Sequence, residues 1–319
     1  MDNIVQINAD FIEENTRFTE LIPALKHGFS SQEIIVPIRH HHDFPNSTVN
    51  ADSTLLLMPA WNPSKEAGVK VVTVSPENGQ FDLPSIQGIY IYLDAKKGSI
   101  KAILNAKNLT AKRTAAASAL ASSFLSRKNS STLLMIGTGA LSTNLIKAHA
   151  SIRPIKSVYV WGRSIEKARV ICETLINESF SCAPILTIQE KISEVDIISC
   201  ATLSKTPLIL GKYLREGQHI DLVGAYKKDM READDDTIKK ASVFVDTFQG
   251  GLKESGDIII PLQNGIIKES DINADLFELC SNKKEGRTNP NDITVFKSVG
   301  HALEDLVAAK YYYNSFTNA

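Results

Sequence analysis

The residues Leu133, Leu134, Met135 and Ile136, followed by Gly137, Thr138, Gly139, Ala140, Leu141 and Ser142, constrain this chain more than any other stretch. Four apolar residues read as a buried strand, the two close glycines as a tight turn, and the continuation as a helix. In such a unit Gly137 makes the turn and Gly139 lets a pyrophosphate approach the backbone. The amides of Thr138, Ala140 and Leu141, at the helix start, donate to its oxygens. Ser142 stands where the third glycine of the pattern usually lies. A pattern this short also occurs in ordinary strand-to-helix turns, so its context must carry the reading.

That context is an alternation of strand and helix. Strands are expected at Thr132–Ile136 and Ser157–Trp161, with helices from Ala140 and over residues 165–176. Further buried strands are expected over 196–200, 219–223 and 243–246. The alternation predicts a Rossmann-type α/β architecture, a doubly wound parallel sheet that takes its ligand at the carboxyl ends of the strands. The second strand runs into Trp161, Gly162, Arg163 and Ser164, where an NAD enzyme would place a carboxylate for the ribose hydroxyl. Arg163 can instead pair with a 2′-phosphate, which favours NADPH as cofactor and leaves NADH open. The bland alternative for Arg163 is a solvated residue at a helix start. Thr202, just past the strand ending at Cys200, is a further cofactor candidate or a plain loop threonine.

The first third has a different, α+β texture. A helical pattern covers residues 11–29, and branched residues mark strands at 34–38, 54–58 and 69–74. Residues 89–94 and 100–104 flank a turn with Gly98, the pattern of a hairpin. An alanine-rich helix over 110–127, with Thr110 as its cap, is expected to link the two halves. Residues 292–313 carry another helical pattern, beginning near Val299 and ending in three tyrosines, expected to return to the first domain.

A chain of 319 residues, 43% of them hydrophobic, can fill two cores. Its 35 basic and 36 acidic side chains nearly cancel, so no global field draws it to nucleic acid or to an anionic membrane. Cys172, Cys182, Cys200 and Cys280 lack metal or redox spacing and read as reduced thiols. His40, His41 and His42 invite a metal reading. In a strand, however, only His40 and His42 share a face and Asp43 points away, so no metal site is expected. The acidic, polar amino terminus and the lack of a long apolar run imply a cytoplasmic location.

Several separated segments together resemble one family. They are VPIRHHHDFP, LLLMPAW, GVKVVTVSPENG, LTAKRTAAASALAS, IGTGAL and VGAYKKDMREADDD, and the resemblance, to the ornithine cyclodeaminase and mu-crystallin family, runs from about Ile34 to Lys310. It implies an inserted nucleotide domain, here residues 116–298, within a dimerising substrate domain of residues 1–115 and 299–319, and so a homodimer. It further implies that Arg113 grips a substrate carboxylate, that Lys70 is its companion, that Arg39 is a third basic contact and that Ser85 lies near the nicotinamide. Chemically, a planar α-imino carboxylate calls for a forked cation to fix its plane. Without the resemblance, Arg113 would read as part of a solvated helix face, Lys70 as a snorkelling strand residue and Ser85 as a turn serine.

The family name does not settle the reaction. Where the cyclodeaminases carry an aspartate after the VGA segment (Val223, Gly224, Ala225), this chain has Tyr226, a poor base at neutral pH. Deamination with ring closure needs that proton acceptor, and plain imine reduction does not. The expected activity is therefore NAD(P)H-dependent reduction of the cyclic imine Δ1-pyrroline-2-carboxylate to L-proline, with the six-membered piperideine-2-carboxylate a further substrate. No side chain is assigned as the acid, because the nitrogen proton can arrive with the substrate iminium or from a site water; Tyr226 is the one candidate. The alternatives are an ornithine cyclodeaminase, an alanine dehydrogenase and a non-catalytic NADPH-binding crystallin-like protein.

Overall fold

The computed structural model describes residues 4–49 and 51–318. They form two compact units, the first comprising Met1–Arg113 with Ala302–Ala319 and the second Thr114–His301.

Unit 1 is a six-stranded sheet with helices on one face. Its strands are β1 (Val5–Ile7), β2 (His40–Asn46), β3 (Ala51–Asn62), β4 (Glu66–Val74), β5 (Ile86–Asp94) and β6 (Ile100–Asn105), in the spatial order β1-β6-β5-β4-β3-β2. Only the β1–β6 pair is parallel. Helices α1 (Ala9–Glu14), α2 (Phe18–Ser31) and the part of α3 (Ala106–Leu125) up to Arg113 complete it, together with the helix Ala302–Thr317, which lies on α2 and crosses β3, β4 and β5. At Gly28 on α2, a Cβ would sit 2.7 Å from Val307 Cγ2, so glycine permits the close approach of the two helices.

Pleating sorts the sheet into two kinds of row. Met58, Lys70, Tyr90 and Leu104 lie directly across from one another and are buried, as are Ala60, Gly68, Tyr92 and Ala102. The intervening rows are apolar but only partly covered. One is Pro59, Val69, Ile91 and Ile103, and another is Leu57, Val71 and Ile89.

Three expectations for this part are corrected. The helical pattern over 11–29 is two helices, interrupted at residues 15–17. There Tyr311 Oη donates to Asn15 O at 3.0 Å and accepts from Arg17 N at 3.2 Å, satisfying backbone groups that a continuous helix would have paired. Residues 34–38 form no strand. Ile35 makes a single bridge to Trp61, Pro37 has no N–H to extend it, and pairing resumes at His40. Helix α3 begins one turn earlier than expected, with Asn105 Oδ1 accepting from Asn108 N at 3.0 Å, so Asn105 and not Thr110 caps it.

Unit 2 is the doubly wound parallel sheet that the alternation predicts. Its strands are β7 (Thr132–Ile136), β8 (Ser157–Trp161), β9 (Ser181–Pro184), β10 (Ile197–Cys200), β11 (His219–Leu222), β12 (Ala241–Val245), β13 (Ile272–Asp275) and β14 (Ile293–Lys297). Their order is β13-β12-β14-β11-β10-β7-β8-β9, and every pairing is parallel. The chain leaves β7 towards β8 on one side and later fills β10 on the other. The carboxyl ends of β7 and β10 therefore flank the switch point where such sheets bind ligand. Aliphatic side chains of adjacent strands, among them Ile136, Ile198, Ile220, Leu222 and Val295, fill the core with the helices that cover it.

The expected helix near Val299 begins instead at Ala302, and β14 precedes it. Asp246 Oδ2 accepts from Val299 N and Gly300 N at 2.7 Å each, and Gly300 has φ +83°, which holds this segment out of a helix. Cys172 and Cys182, ten residues apart, are brought to 2.9 Å by the pairing of helix α5 (Ile165–Thr174) with β9, a proximity that their sequence spacing does not reveal. No helix among the described residues is long and apolar enough to cross a membrane.

Candidate functional site

In unit 2 the strand β7 delivers the chain into the glycine turn. Gly137 has φ +122°, and a Cβ on it would lie 2.5 Å from Ala201 O, so this position requires glycine. A Cβ on Gly139 would meet nothing within 4 Å, which leaves the turn open to an incoming group. Helix α4 (Ser142–Ile152) follows Ala140 and Leu141, and no side chain caps it. The positive end of its dipole faces the turn, which favours an anion there. Ser142 is buried and donates to Gly137 O at 2.9 Å, closing the turn from inside. Thr138 packs on Gly162, where a Cβ would come within 2.6 Å of its methyl. These features fit a dinucleotide pyrophosphate.

Beyond β8, Arg163 is exposed and makes no ion pair among the described residues. Ser164 caps α5 by accepting from Lys167 N at 3.3 Å. Across the switch point, Thr202 is held by Glu232, whose Oε1 accepts from Thr202 N at 2.6 Å and from its hydroxyl at 2.8 Å. Glu232 Oε2 accepts from Gly224 N at 2.8 Å and Ala225 N at 3.1 Å, so one buried carboxylate ties the loops after β10 and β11. Asp257 in turn accepts from Glu232 N at 2.7 Å, and the buried Lys297 Nζ lies 3.1 Å from Asp257 Oδ2 and 3.9 Å from Glu232 Oε2. Burial pushes the Glu232 carboxyl up, Lys297 opposes this and Asp257 adds to it. Tyr226, next along the loop, is 40% exposed, with Lys227 Nζ 5.7 Å from its ring centre.

In unit 1, Lys70 projects from β4 and Arg113 from α3, and both are buried. Arg113 Nε donates to Asp305 Oδ1 at 2.9 Å and Nη1 donates to Glu304 Oε2 at 2.7 Å. Lys70 Nζ lies 2.8 Å from Asp305 Oδ2. The two cations therefore share one carboxylate from the carboxyl-terminal helix. Of the guanidinium nitrogens, Nη2 is the one that neither acid engages.

Burial pushes Lys70 down to about 8; Asp305 opposes that shift, while Arg113 and Arg39 add to it. Burial also works against the charge of Arg113, but Asp305 and Glu304 more than offset it and its pKa rises. For Asp305 burial acts upward, yet Lys70 and Arg113 hold its carboxyl below the usual range. Opposite Lys70, the fully buried Tyr90 has its hydroxyl pKa raised by burial first and by Asp305 second. Gly68 makes room for that hydroxyl, since a Cβ there would lie 2.2 Å from it.

Arg39 is half-buried and close enough to influence Lys70, so the fold brings Arg39, Lys70 and Arg113 into one electrostatic neighbourhood. Ser85 does not join it. Ser85 is exposed in a turn and donates to Pro76 O at 3.3 Å. His40 and His42 share a face of β2, their ring centres 6.0 Å apart. Glu304, Asp305, Glu232, Asp257 and Lys297 escaped the reading from sequence. One available signal was two adjacent acids inside the apolar helical run ALEDLVAA, where a solvated face would need more polar neighbours.

Comparison with known proteins agrees over the full length. A Δ1-pyrroline-2-carboxylate reductase from Colwellia psychrerythraea is 38% identical over 307 residues, which cover 95% of this chain and 96% of its own. The structure of a Thermococcus litoralis Δ1-pyrroline-2-carboxylate reductase in complex with NADH and L-proline has a TM-score of 0.91 at 32% identity, covering 99% of this chain and 98% of that one. An archaeal alanine dehydrogenase dimer with bound NAD follows at a TM-score of 0.89 and 26% identity, covering 99% and 97%. The model of the ornithine cyclodeaminase/mu-crystallin family matches residues 1–319, and the chain belongs to that family.

Proposed function

We propose that this protein is a nicotinamide-dependent imine reductase that converts Δ1-pyrroline-2-carboxylate to L-proline. The observation that carries the proposal is the buried bridge in which Asp305 holds Lys70 and Arg113 together. Lys70 and Arg113 meet over Asp305 in a buried site, with Arg39 near enough to act on Lys70, and such a concentration of cations suits a ligand with a carboxylate. Arg113 Nη2 and Lys70 Nζ are the donors we assign to that carboxylate, with Arg39 adding charge. Such fixed donors hold the imine carbon in one orientation before the reaction.

In unit 2, Gly137, Thr138, Gly139, Ala140 and Leu141 form the pyrophosphate turn that we assign to the cofactor, which supplies the hydride. Arg163, exposed and with no ion-pair partner among the described residues, is our candidate for a 2′-phosphate contact, which favours NADPH over NADH. Reduction adds a hydride to carbon and a proton to nitrogen, and the proton arrives with the substrate iminium or from water. Tyr226 stands where a cyclodeaminase would need a base, and its exposed loop position supplies none. The partly covered apolar rows of the unit 1 sheet, with Ile86 and Ile89 largely exposed, support a homodimer that buries this face.

The test is oxidation of NADPH and NADH by the purified protein with Δ1-pyrroline-2-carboxylate, with L-proline measured as product. Ammonia release from ornithine without net cofactor consumption, and no imine reduction, would reject the proposal.

A further inference from the structure

We infer that Asp305 is a positioning residue for the carboxylate-binding cations, fixing Lys70 Nζ and Arg113 Nε against one another before any ligand arrives. The inference rests on the assignment of Lys70 and Arg113 to the substrate carboxylate. Glu304 is hydrogen-bonded to Arg113 through Nη1, but Asp305 spans both cations, one with each oxygen. Consecutive helical residues point about 100° apart, so adjacent acids can approach one guanidinium from two sides.

Stability alone does not explain this arrangement. Residues 302–309 of the helix are buried throughout, and a buried ion cluster is often no more stable than apolar residues of similar volume. What Asp305 provides is geometry and charge. It opposes the burial that favours the neutral amine of Lys70. The groups that face Lys70 are Asp305 from the carboxyl-terminal helix, Arg113 from α3, Tyr90 from β5 and Arg39 from the segment before β2. Among these, Asp305 is the acid that pairs with Lys70, at 2.8 Å. Without its charge, Lys70 gives up its proton at lower pH and is less fully charged in neutral solution.

The decisive measurement is the affinity of the full chain, saturated with oxidised cofactor, for pyrrole-2-carboxylate between about pH 6 and pH 10. This planar mimic stays a monoanion over that range, so its binding reports titration of the protein. Wild-type affinity should weaken as pH rises through about 8, the titration of Lys70. In Lys70→Met this fall should vanish. In Asp305→Asn its midpoint should move at least about one unit lower, and affinity at neutral pH should drop about tenfold. Asp305→Glu keeps the charge on a longer arm, so the midpoint should stay near wild type while affinity still falls.

An Asp305→Asn midpoint unchanged from wild type, with Lys70→Met flat, would overturn the inference and leave the Lys70 assignment intact. A fall that persists in Lys70→Met would overturn that assignment and the inference with it. Should Asp305→Asn not fold, wild-type affinity in Asp305→Glu would overturn the positioning role.

Discussion

Glu232 accepts hydrogen bonds from both the amide and the hydroxyl of Thr202, at 2.6 and 2.8 Å. The hydroxyl proton of Thr202 is therefore committed to the protein, and a cofactor at this strand end can use only the oxygen as an acceptor. Thr202 shapes the loop more than it offers a free donor. Gly224 completes the contact, because a Cβ there would fall 2.0 Å from Thr202 O.

Glu232→Gln replaces one acceptor oxygen by an NH2 group facing the Gly224 and Ala225 amides. Loss of two charge-assisted bonds inside a buried cluster should cost about 2 to 4 kcal/mol. Urea unfolding would measure it, and a loss below about 1 kcal/mol would show that the clamp matters little.

Arg163→Ala should weaken NADPH by about 1 to 3 kcal/mol, the value of lost charge-assisted bonds, and leave NADH nearly unchanged. The expectation comes from its exposed position past β8, with no acid among the described residues paired to it. Equal losses for the two cofactors in steady-state titrations would remove Arg163 as the phosphate reader.

Arg113→Lys retains charge but cannot reach Glu304, Asp305 and a ligand together. Turnover of the cyclic imine should fall at least about tenfold in kcat/KM, with NADPH affinity little changed. Tyr226→Phe, by contrast, should retain most activity. Unimpaired Arg113→Lys would sink the orientation argument, and a folded, cofactor-binding but inactive Tyr226→Phe would make that tyrosine the proton donor.

Stability should decline in mild acid because His219 is buried. Burial, with His149, Arg287 and Arg153 nearby, holds its pKa well below the ordinary value. Above the unfolded pKa of about 6.5 the ring is neutral in both states; below it the unfolded chain binds the extra proton, and stability falls by up to about 1.4 kcal/mol per pH unit. Urea midpoints from about pH 7.5 down to 5 would show this slope, and His219→Asn should reduce it by one proton. An unchanged slope in that variant would place the linkage elsewhere.

The Cys172 and Cys182 thiols, half-buried and 2.9 Å apart, should be joined by mild peroxide. Two thiols and one peroxide give one disulfide and two waters, so the intact mass should drop by two hydrogens. Cys172→Ser should prevent the loss. Oxidation of Cys172 to a sulfinic acid with no cross-link would contradict the pairing.

What could be read in advance divides along the range of the interactions. The glycine turn after β7 and the strand β8 depend on neighbours a few residues away, so their pattern is legible in a short window. Lys70 and Arg113 stood out through resemblance to a family, and their partner did not. Arg113 and Asp305 are separated by 192 positions, and a charged residue in an apolar helix defies the usual expectation of exposure. Lys297 was hidden likewise, closing the apolar strand ITVFK deep in unit 2. Strand β14 itself was absorbed into the helical pattern after it, because five residues carry too little periodicity to separate the two.

The interrupted course of unit 1 has a consequence for synthesis on the ribosome. Unit 2 is one continuous stretch, whereas unit 1 lacks the helix Ala302–Thr317 until those residues are made. A nascent chain can thus fold residues 114–301 while Lys70 and Arg113 still wait, hydrated, for Asp305. Their desolvation comes last, together with the acids that compensate it. A chain released before residue 302 would carry two cations with no buried carboxylate to receive them, and such a product should be a substrate for quality-control proteases.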